Sequence, residues 1–409
     1  MTLGPEFRKL WTASTISNLG DGARLTALPL LAATVTRDPA LVAGVLLATR
    51  LPWLLFALIG GAVADRVDRR GLMAWMQVAR MAIMAVVALA AFAGWAGLPL
   101  LYAGGFLLGL CEVLFDVSAQ SVLPAIVDHD QLEKANGRLL GAELVTNQFA
   151  GQPLGGALFA LAPGLPFVVD SLTFGVAGGL ISRLRGRFTP ERDPADPSSI
   201  WADVKEGLNW LMHHRLLRTF ALMTGVMNMM FSAVEAILVL FALQILGLNA
   251  AGFGALFVPM ALGSLLSTAL TDQMRRVSGV GPLLMFSVFV LGATLLGTGL
   301  TSSWVVVAIL SLVSGFFNMT WNIIVVSLRQ RIIPDRLMGR INSVYRLLAW
   351  GSMPVGAALG GLVAREFGLR APFIVGAAVV FLLLLVTLPI VNTRNIEAAE
   401  LSTQPHPIR

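Results

Sequence analysis

Gly60-Gly61-Ala62-Val63-Ala64-Asp65-Arg66-Val67-Asp68-Arg69-Arg70 lies between the second and third of twelve apolar stretches in this chain. The glycines let two helices approach closely, and the charges that follow can pair in one conformation and part in another. Gly61, Asp65, Arg66, Arg69 and Arg70 are therefore the candidate residues of a cytoplasmic gate. The surroundings agree. The 409 residues are 56% hydrophobic and 13% charged, with a mean hydropathy of +0.78. A soluble chain carries roughly 25% charged residues. The 41 glycines suit helices that pack backbone to backbone in lipid.

A span needs roughly 20 apolar residues. The segmentation predicts helices over 11–36, 41–64, 72–94, 98–122, 136–161, 165–183, 217–245, 251–273, 280–300, 303–328, 339–364 and 369–392. Arg8 and Lys9 before the first run mimic a secretory signal, but Asn18, Asp21 and Arg24 interrupt the run and no cleavage pattern follows. It is read as the first span. Lys and Arg crowd alternate loops, at Arg8, Arg66, Arg183, Arg275, Arg329 and Arg394 among others, whereas the loops at Gly97, Gly164, Gly247 and Ser302 have none. That bias places both termini in the cytoplasm; the membrane expected is the plasma (inner) membrane. It also accounts for the sequence pI near 10.4 without a nucleic-acid partner.

The chain divides into a six-helix half at 1–183, a cytoplasmic linker at 184–215, a second six-helix half at 216–392 and a cytoplasmic tail at 393–409. In the linker, Trp201, Val204, Leu208 and Leu211 recur at helical spacing opposite Asp203, Lys205 and Glu206, which predicts an amphipathic helix on the membrane surface. The halves echo each other. Gly151, Pro153, Gly155 and Gly156 in the fifth span form a helix-packing motif, and Pro354-Val355-Gly356 with Gly360-Gly361 is its counterpart in the eleventh. A parallel repeat of this kind puts a substrate site between the halves.

Ionisable groups in hydrocarbon are costly and face a cavity or one another. Polar stripes run along the first span (Ser14, Asn18, Asp21), the fourth (Glu112, Asp116), the seventh (Thr224, Asn228, Phe231, Ser232, Glu235) and the tenth (Ser311, Ser314, Asn318, Asn322). Helix–helix hydrogen bonds explain any one stripe but poorly explain four at equivalent repeat positions. Asn18, Asn228, Phe231, Glu235, Asn318 and Asn322 are thus expected to line a substrate cavity. At 1.5 Å per residue, Asp21 and Glu112 lie about 15 Å from the cytoplasmic ends and Arg24 and Arg50 about 20 Å. One cluster of Asp21, Glu112, Arg24 and Arg50 is expected, and a second of Asp116, Glu143 and Arg80 nearer the cytoplasm. At least one carboxylate of these sets is expected to take up and release a proton; the competing reading is a permanent salt bridge. Asp170, near the start of the sixth span, is read as a structural helix N-terminal carboxylate.

The 61–70 loop, with twelve spans, resembles the signature of the major facilitator superfamily, and the resemblance covers essentially the whole chain. Leu19-Gly20-Asp21-Gly22 with Ala27-Leu28-Pro29, and Asn136-Gly137 opening span five, are similar to its drug-exporting branch, which includes macrolide-efflux and enterobactin-exporter-like proteins. The resemblance implies an all-α integral membrane fold and a rocker-switch mechanism, with Asp65 capping span eleven near Met338 to Asn342. Two features depart from the antiporter pattern. Span five reads Gly151-Gln152-Pro153-Leu154-Gly155-Gly156, and span four offers Glu112 and Asp116 where many antiporters carry an arginine.

The function expected is export of hydrophobic or amphipathic small molecules, drug or natural product, by proton antiport. An importer of a small metabolite, or a lysophospholipid or siderophore transporter, is the alternative. The 16 methionines and 22 phenylalanines favour the apolar pocket of an exporter. Enzyme chemistry is not expected. His129, His213, His214 and His406 lie in loops or the tail, Cys111 is alone within a span, and no P-loop is present. No cofactor or metal is called for. The expected partners are a small-molecule substrate, protons and membrane lipid, with the protein a monomer.

Overall fold

A computed structural model describes residues 3–64, 66–186, 188 and 200–401. Asp65, on which the gate reading turns, most of the 184–199 linker and the tail beyond Leu401 lie outside the described residues.

The described residues are helical and contain no strand. The first six predicted spans correspond to α1 (Pro5–Val35), α2 (Pro39–Ala64), α3 (Arg69–Ala93), α4 (Leu98–Ile126), the series α5 (Leu132–Glu143), π-helix (Leu144–Gly151) and α6 (Gln152–Leu161), and α7 (Leu165–Ser182). After α8 (Ile200–His213), the other six correspond to α9 (Arg215–Glu235) with α10 (Leu238–Gln244), α11 (Ala250–Ala255) with α12 (Phe257–Ser278), α13 (Val280–Leu300), α14 (Trp304–Ile332), α15 (Asp335–Phe367) and α16 (Ala371–Thr387). A short α17 (Thr393–Leu401) follows. Among the described residues, nine helices are long and apolar enough to cross a membrane. The other three predicted spans differ for identifiable reasons. α1 carries Glu6, Arg8, Lys9, Asp21 and Arg24. The fifth is divided, and Ala371–Thr387 is shorter.

The local boundaries follow from the residues. Asp68 caps α3 by accepting a hydrogen bond from the Gly71 amide at 3.0 Å, and Gly94, at φ 73°, ends the same helix in the left-handed region. The fifth span widens to a π-helix just before Pro153. Proline has no amide to give the carbonyl four residues earlier, and the Gln152 amide bonds instead to the Asn147 carbonyl five residues back.

The chain forms two compact units, Met1–Pro194 with Ala236–Val258, and Ala195–Glu235 with Pro259–Arg409. In the first, α1 packs on α7, the π-helix and α6, while α2 packs on α4. A Cβ on Gly155 would collide with the Ala23 carbonyl, so α6 and α1 touch backbone to backbone. In the second, α15 packs along α9, and a Cβ on Gly360 would collide with the Ala233 carbonyl. Gly151 against Leu19 and Gly22, and Gly356 against Met229, repeat the contact one turn earlier. The structure therefore matches Gly151 and Gly155 with Gly356 and Gly360. The sequence alignment on Pro153 and Pro354 is one helical turn out, because close approach is set by the glycines.

The linker residues from Ile200 to His213 form a helix, α8. α8 docks on α15 through Gly207, beside the Arg340 carbonyl, and Glu206 pairs with Arg340. Leu211 is buried there, while Leu208 and Met212 stay exposed.

Candidate functional site

The first unit holds a buried ionic cluster built from four helices. Asp21 sits on α1, one residue after Gly20 and one before Gly22, where the small neighbours admit α7 on one side and the Asn147 carbonyl of the π-helix on the other. Three residues on, Arg24 folds back and places Nη2 2.7 Å from Asp21 Oδ1. From α3, Arg80 Nη2 approaches the same oxygen at 3.1 Å. Both arginines are only 3% exposed. Arg24 Nε also lies 3.3 Å from Asp170 Oδ2 on α7, and Arg80 Nη2 lies 3.9 Å from Glu112 Oε2 on α4.

Neutral groups complete the arrangement. Ser17 donates to Asp21 Oδ2 at 3.4 Å, Gln77 Nε2 donates to the Ser17 hydroxyl at 3.4 Å, and Arg80 Nη1 donates to Gln77 Oε1 at 3.3 Å. The Arg80 guanidinium lies over the Phe174 ring at 4.4 Å and that of Phe115 at 5.9 Å. Such stacking stabilises a cation away from water. Asp116 lies four residues after Glu112 on α4, and Glu143 is the last residue of α5.

Several expectations change. Arg80, expected in the second cluster, joins Asp21 to Glu112 of the first; a guanidinium on a long stem spans the depth difference. Arg50 is half-buried on α2, and Arg24 and Arg80 are the arginines on Asp21. Asp170 is the sixth residue of α7, beyond the first turn, and fully buried against Arg24. It is part of the cluster and not a helix-end carboxylate. Ser17 and Gln77 were not singled out, although Ser17 lies four residues before Asp21 and Gln77 three before Arg80, spacings that share a helix face.

The seventh-span stripe has a use that sequence did not assign. Thr224 meets the Tyr345 hydroxyl at 2.6 Å, Asn228 donates to the Ala349 carbonyl at 2.8 Å and Ser232 to the Met353 carbonyl at 2.8 Å. Each pair is 121 residues apart, so α9 and α15 run parallel and are laddered together. The Asn228 amide is thereby committed to helix packing, which revises its place in the cavity lining. Phe231 is exposed on α9, Glu235 is half-buried at its end, and Asn318 and Asn322 lie half-buried and exposed on α14. Among the described residues Asn18, Asn318 and Asn322 make no side-chain hydrogen bond.

Of the loop arginines, Arg70 Nη1 donates to the Leu184 carbonyl at 3.1 Å, just beyond the C-terminus of α7, where a cation suits the helix dipole. The Arg69 amide bonds to the Phe188 carbonyl at 3.4 Å, and Arg66 is exposed. Among the described residues there is no group of three metal-ligating side chains.

A family model described as a transmembrane secretion effector matches residues 4–408. The multidrug efflux pump Tap of Mycolicibacterium fortuitum is 23% identical over 408 residues, covering 97% of this chain and 98% of that protein. The enterobactin exporter EntS of Citrobacter koseri is 24% identical over 421 residues, covering 99% and 95%. Among solved structures, a bacterial homologue of the iron transporter ferroportin in an inward-facing state superposes with a TM-score of 0.76 at 18% identity, over 95% of this chain and 99% of its own. The nucleoside transporter NupG gives 0.76 at 11% identity, over 95% and 100%. At these identities the structural likenesses show the fold, which is the all-α major facilitator fold.

Proposed function

This chain belongs to the transmembrane secretion effector family of major facilitator transporters, and on that premise we propose that it exports hydrophobic or amphipathic small molecules by alternating access, with proton antiport. It is a multi-pass membrane transporter and not an enzyme. The observation that carries the coupling is Asp21, one buried carboxylate shared by Arg24 and Arg80.

Within the contacts Asp170–Arg24–Asp21–Arg80–Glu112, three carboxylates share two arginines, and the one negative charge left over in a low-dielectric interior has to be neutralised. A proton does this at Asp21 and releases the arginines from it. Loss of that proton on the other side of the membrane restores the pairs. The efflux roles named for Tap and EntS support the direction of transport. Asn318 and Asn322, with Phe231 and Glu235, supply the sparse polar lining that the second unit gives to a mostly apolar substrate site. The loop-charge bias supports an orientation with both termini cytoplasmic, and the location proposed is the plasma (inner) membrane. The working unit is a monomer in lipid.

The test uses purified protein in vesicles, a pH gradient and a lipophilic dye. Movement that needs the gradient, and that falls at least about tenfold in D21N and D65N, is the expected result. Gradient-dependent movement that survives in D21N removes Asp21 from the coupling. An absence of dye movement by the unaltered protein argues against a broad hydrophobic substrate range.

A further inference from the structure

Asp170 is a fully buried carboxylate that the exchange at Asp21 does not itself use. It lies on α7, which packs against α1, α3 and α6. Neither carboxylate oxygen has a hydrogen-bond partner. The nearby Thr173 hydroxyl donates to the backbone carbonyl of Asp170, at 2.7 Å, and not to its side chain. The ion pair with Arg24 Nε at 3.3 Å is the contact that compensates its charge. The approach is built into the chain: a Cβ on Gly20 would sit 2.5 Å from Asp170 Oδ1. A buried carboxylate without hydrogen bonds is costly unless it is paired, so its retention beside Arg24 calls for a reason.

The connectivity supplies one. The groups form an alternating chain, Asp170–Arg24–Asp21–Arg80–Glu112. Asp21 is the middle member and both arginines share it. Each arginine has one further carboxylate, Asp170 for Arg24 and Glu112 for Arg80. When Asp21 is neutralised, a buried Arg24 without Asp170 would be an isolated cation in a dry interior, a state that is strongly disfavoured and so makes Asp21 harder to protonate. We infer that Asp170 is a positioning residue, the standing counter-ion of Arg24 that allows Asp21 to give up its charge during the transport cycle. This rests on the reading of Asp21 as the proton carrier.

The other charged groups around the chain are Asp116 and Glu112 on α4, Glu143 at the end of α5, Arg80 on α3 and Arg50 on α2; α6 has no titratable residue. None of the carboxylates among them is in ion-pair contact with Arg24, so none replaces Asp170.

The experiment titrates the full-length protein in vesicles and follows the infrared band of protonated carboxyl groups, which needs no substrate. Wild type, D21N, D170N and D170E are compared. D21N is expected to remove one titrating component. In D170N that component persists but its midpoint moves to lower pH by about one unit or more, because Arg24 then acts on Asp21 alone. D170E moves it back towards wild type. A component removed by D21N and unmoved in D170N overturns the role of Asp170 while leaving Asp21 as carrier. A component removed by D170N makes Asp170 itself the carrier and also overturns the inference. A titration that D21N leaves unchanged sinks the coupling reading, and this inference with it. Where D170N does not accumulate as folded protein, the paired variant R24Q/D170N is expected to recover it; no recovery means that Asp170 does not act through Arg24.

Discussion

Glu112 and Asp170 occupy corresponding ends of the alternating charge chain, but their settings differ. Glu112 is 3.9 Å from Arg80 and its side chain is 27% exposed, whereas Asp170 is closer to its arginine and wholly buried. Water screens the first pair more than the second. E112Q is therefore expected to move the pH dependence of dye export to lower pH by less than about one unit, a smaller displacement than in D170N. Export assays across a pH series check it, and an unmoved profile takes Glu112 out of the coupling chain. Outside the membrane, Lys9 beside Glu6 at 2.8 Å, helped by the Arg185 amide, holds the Glu6 carboxyl below its ordinary range. A carboxyl lowered in the folded state adds stability above its unfolded titration range, and that stability is lost as pH falls through the folded one. E6Q is expected to lower the melting temperature slightly at pH 7 and not at acid pH, where both forms are neutral.

Two elements, α9 and α15, are held by the Thr224, Asn228 and Ser232 rungs and by the close contact at Gly360. An interhelical hydrogen bond in a membrane protein contributes about 0.6–2 kcal/mol. N228A should cost about that much, read as a lower melting temperature in detergent, with dye export kept within about twofold because the packing remains. A larger side chain at a backbone contact is worse, since overpacking costs about 1–3 kcal/mol or more. G360V and its counterpart G155V are both expected to reduce the yield of monodisperse protein on size exclusion. If G155V is tolerated as well as a surface change, the two glycine contacts are not equivalent. The sequence carried part of this. Glycine spacing announced close packing in both spans, but the stripe on α9 was read as cavity lining because a helical wheel gives the angle of a residue and not the identity of its neighbour.

The molecule as a whole presents a charge asymmetry between its two sets of loops. Single cysteines at Arg8 or Arg394 in a C111S background are expected to react with an impermeant thiol reagent only from the cytoplasmic side, and one at Ser302 only from the outside. The opposite pattern reverses the orientation. Twelve apolar stretches and the alternation of Lys and Arg were legible without coordinates, because hydropathy and loop charge are sums over neighbouring residues. The same reading found Asp21, Arg24, Arg80 and Glu112 as costly intramembrane charges, since their expense does not depend on partners. The partners themselves were a tertiary matter. Helix rotation, the reach of two guanidinium stems and the missing Cβ of Gly20 brought Arg80 to Asp21 and Asp170 to Arg24. What the sequence by itself determined is an all-helical membrane transporter with charges buried in its first half. Which carboxylate serves which arginine was decided only by packing, because ion-pair geometry changes over a few ångströms that no linear pattern records.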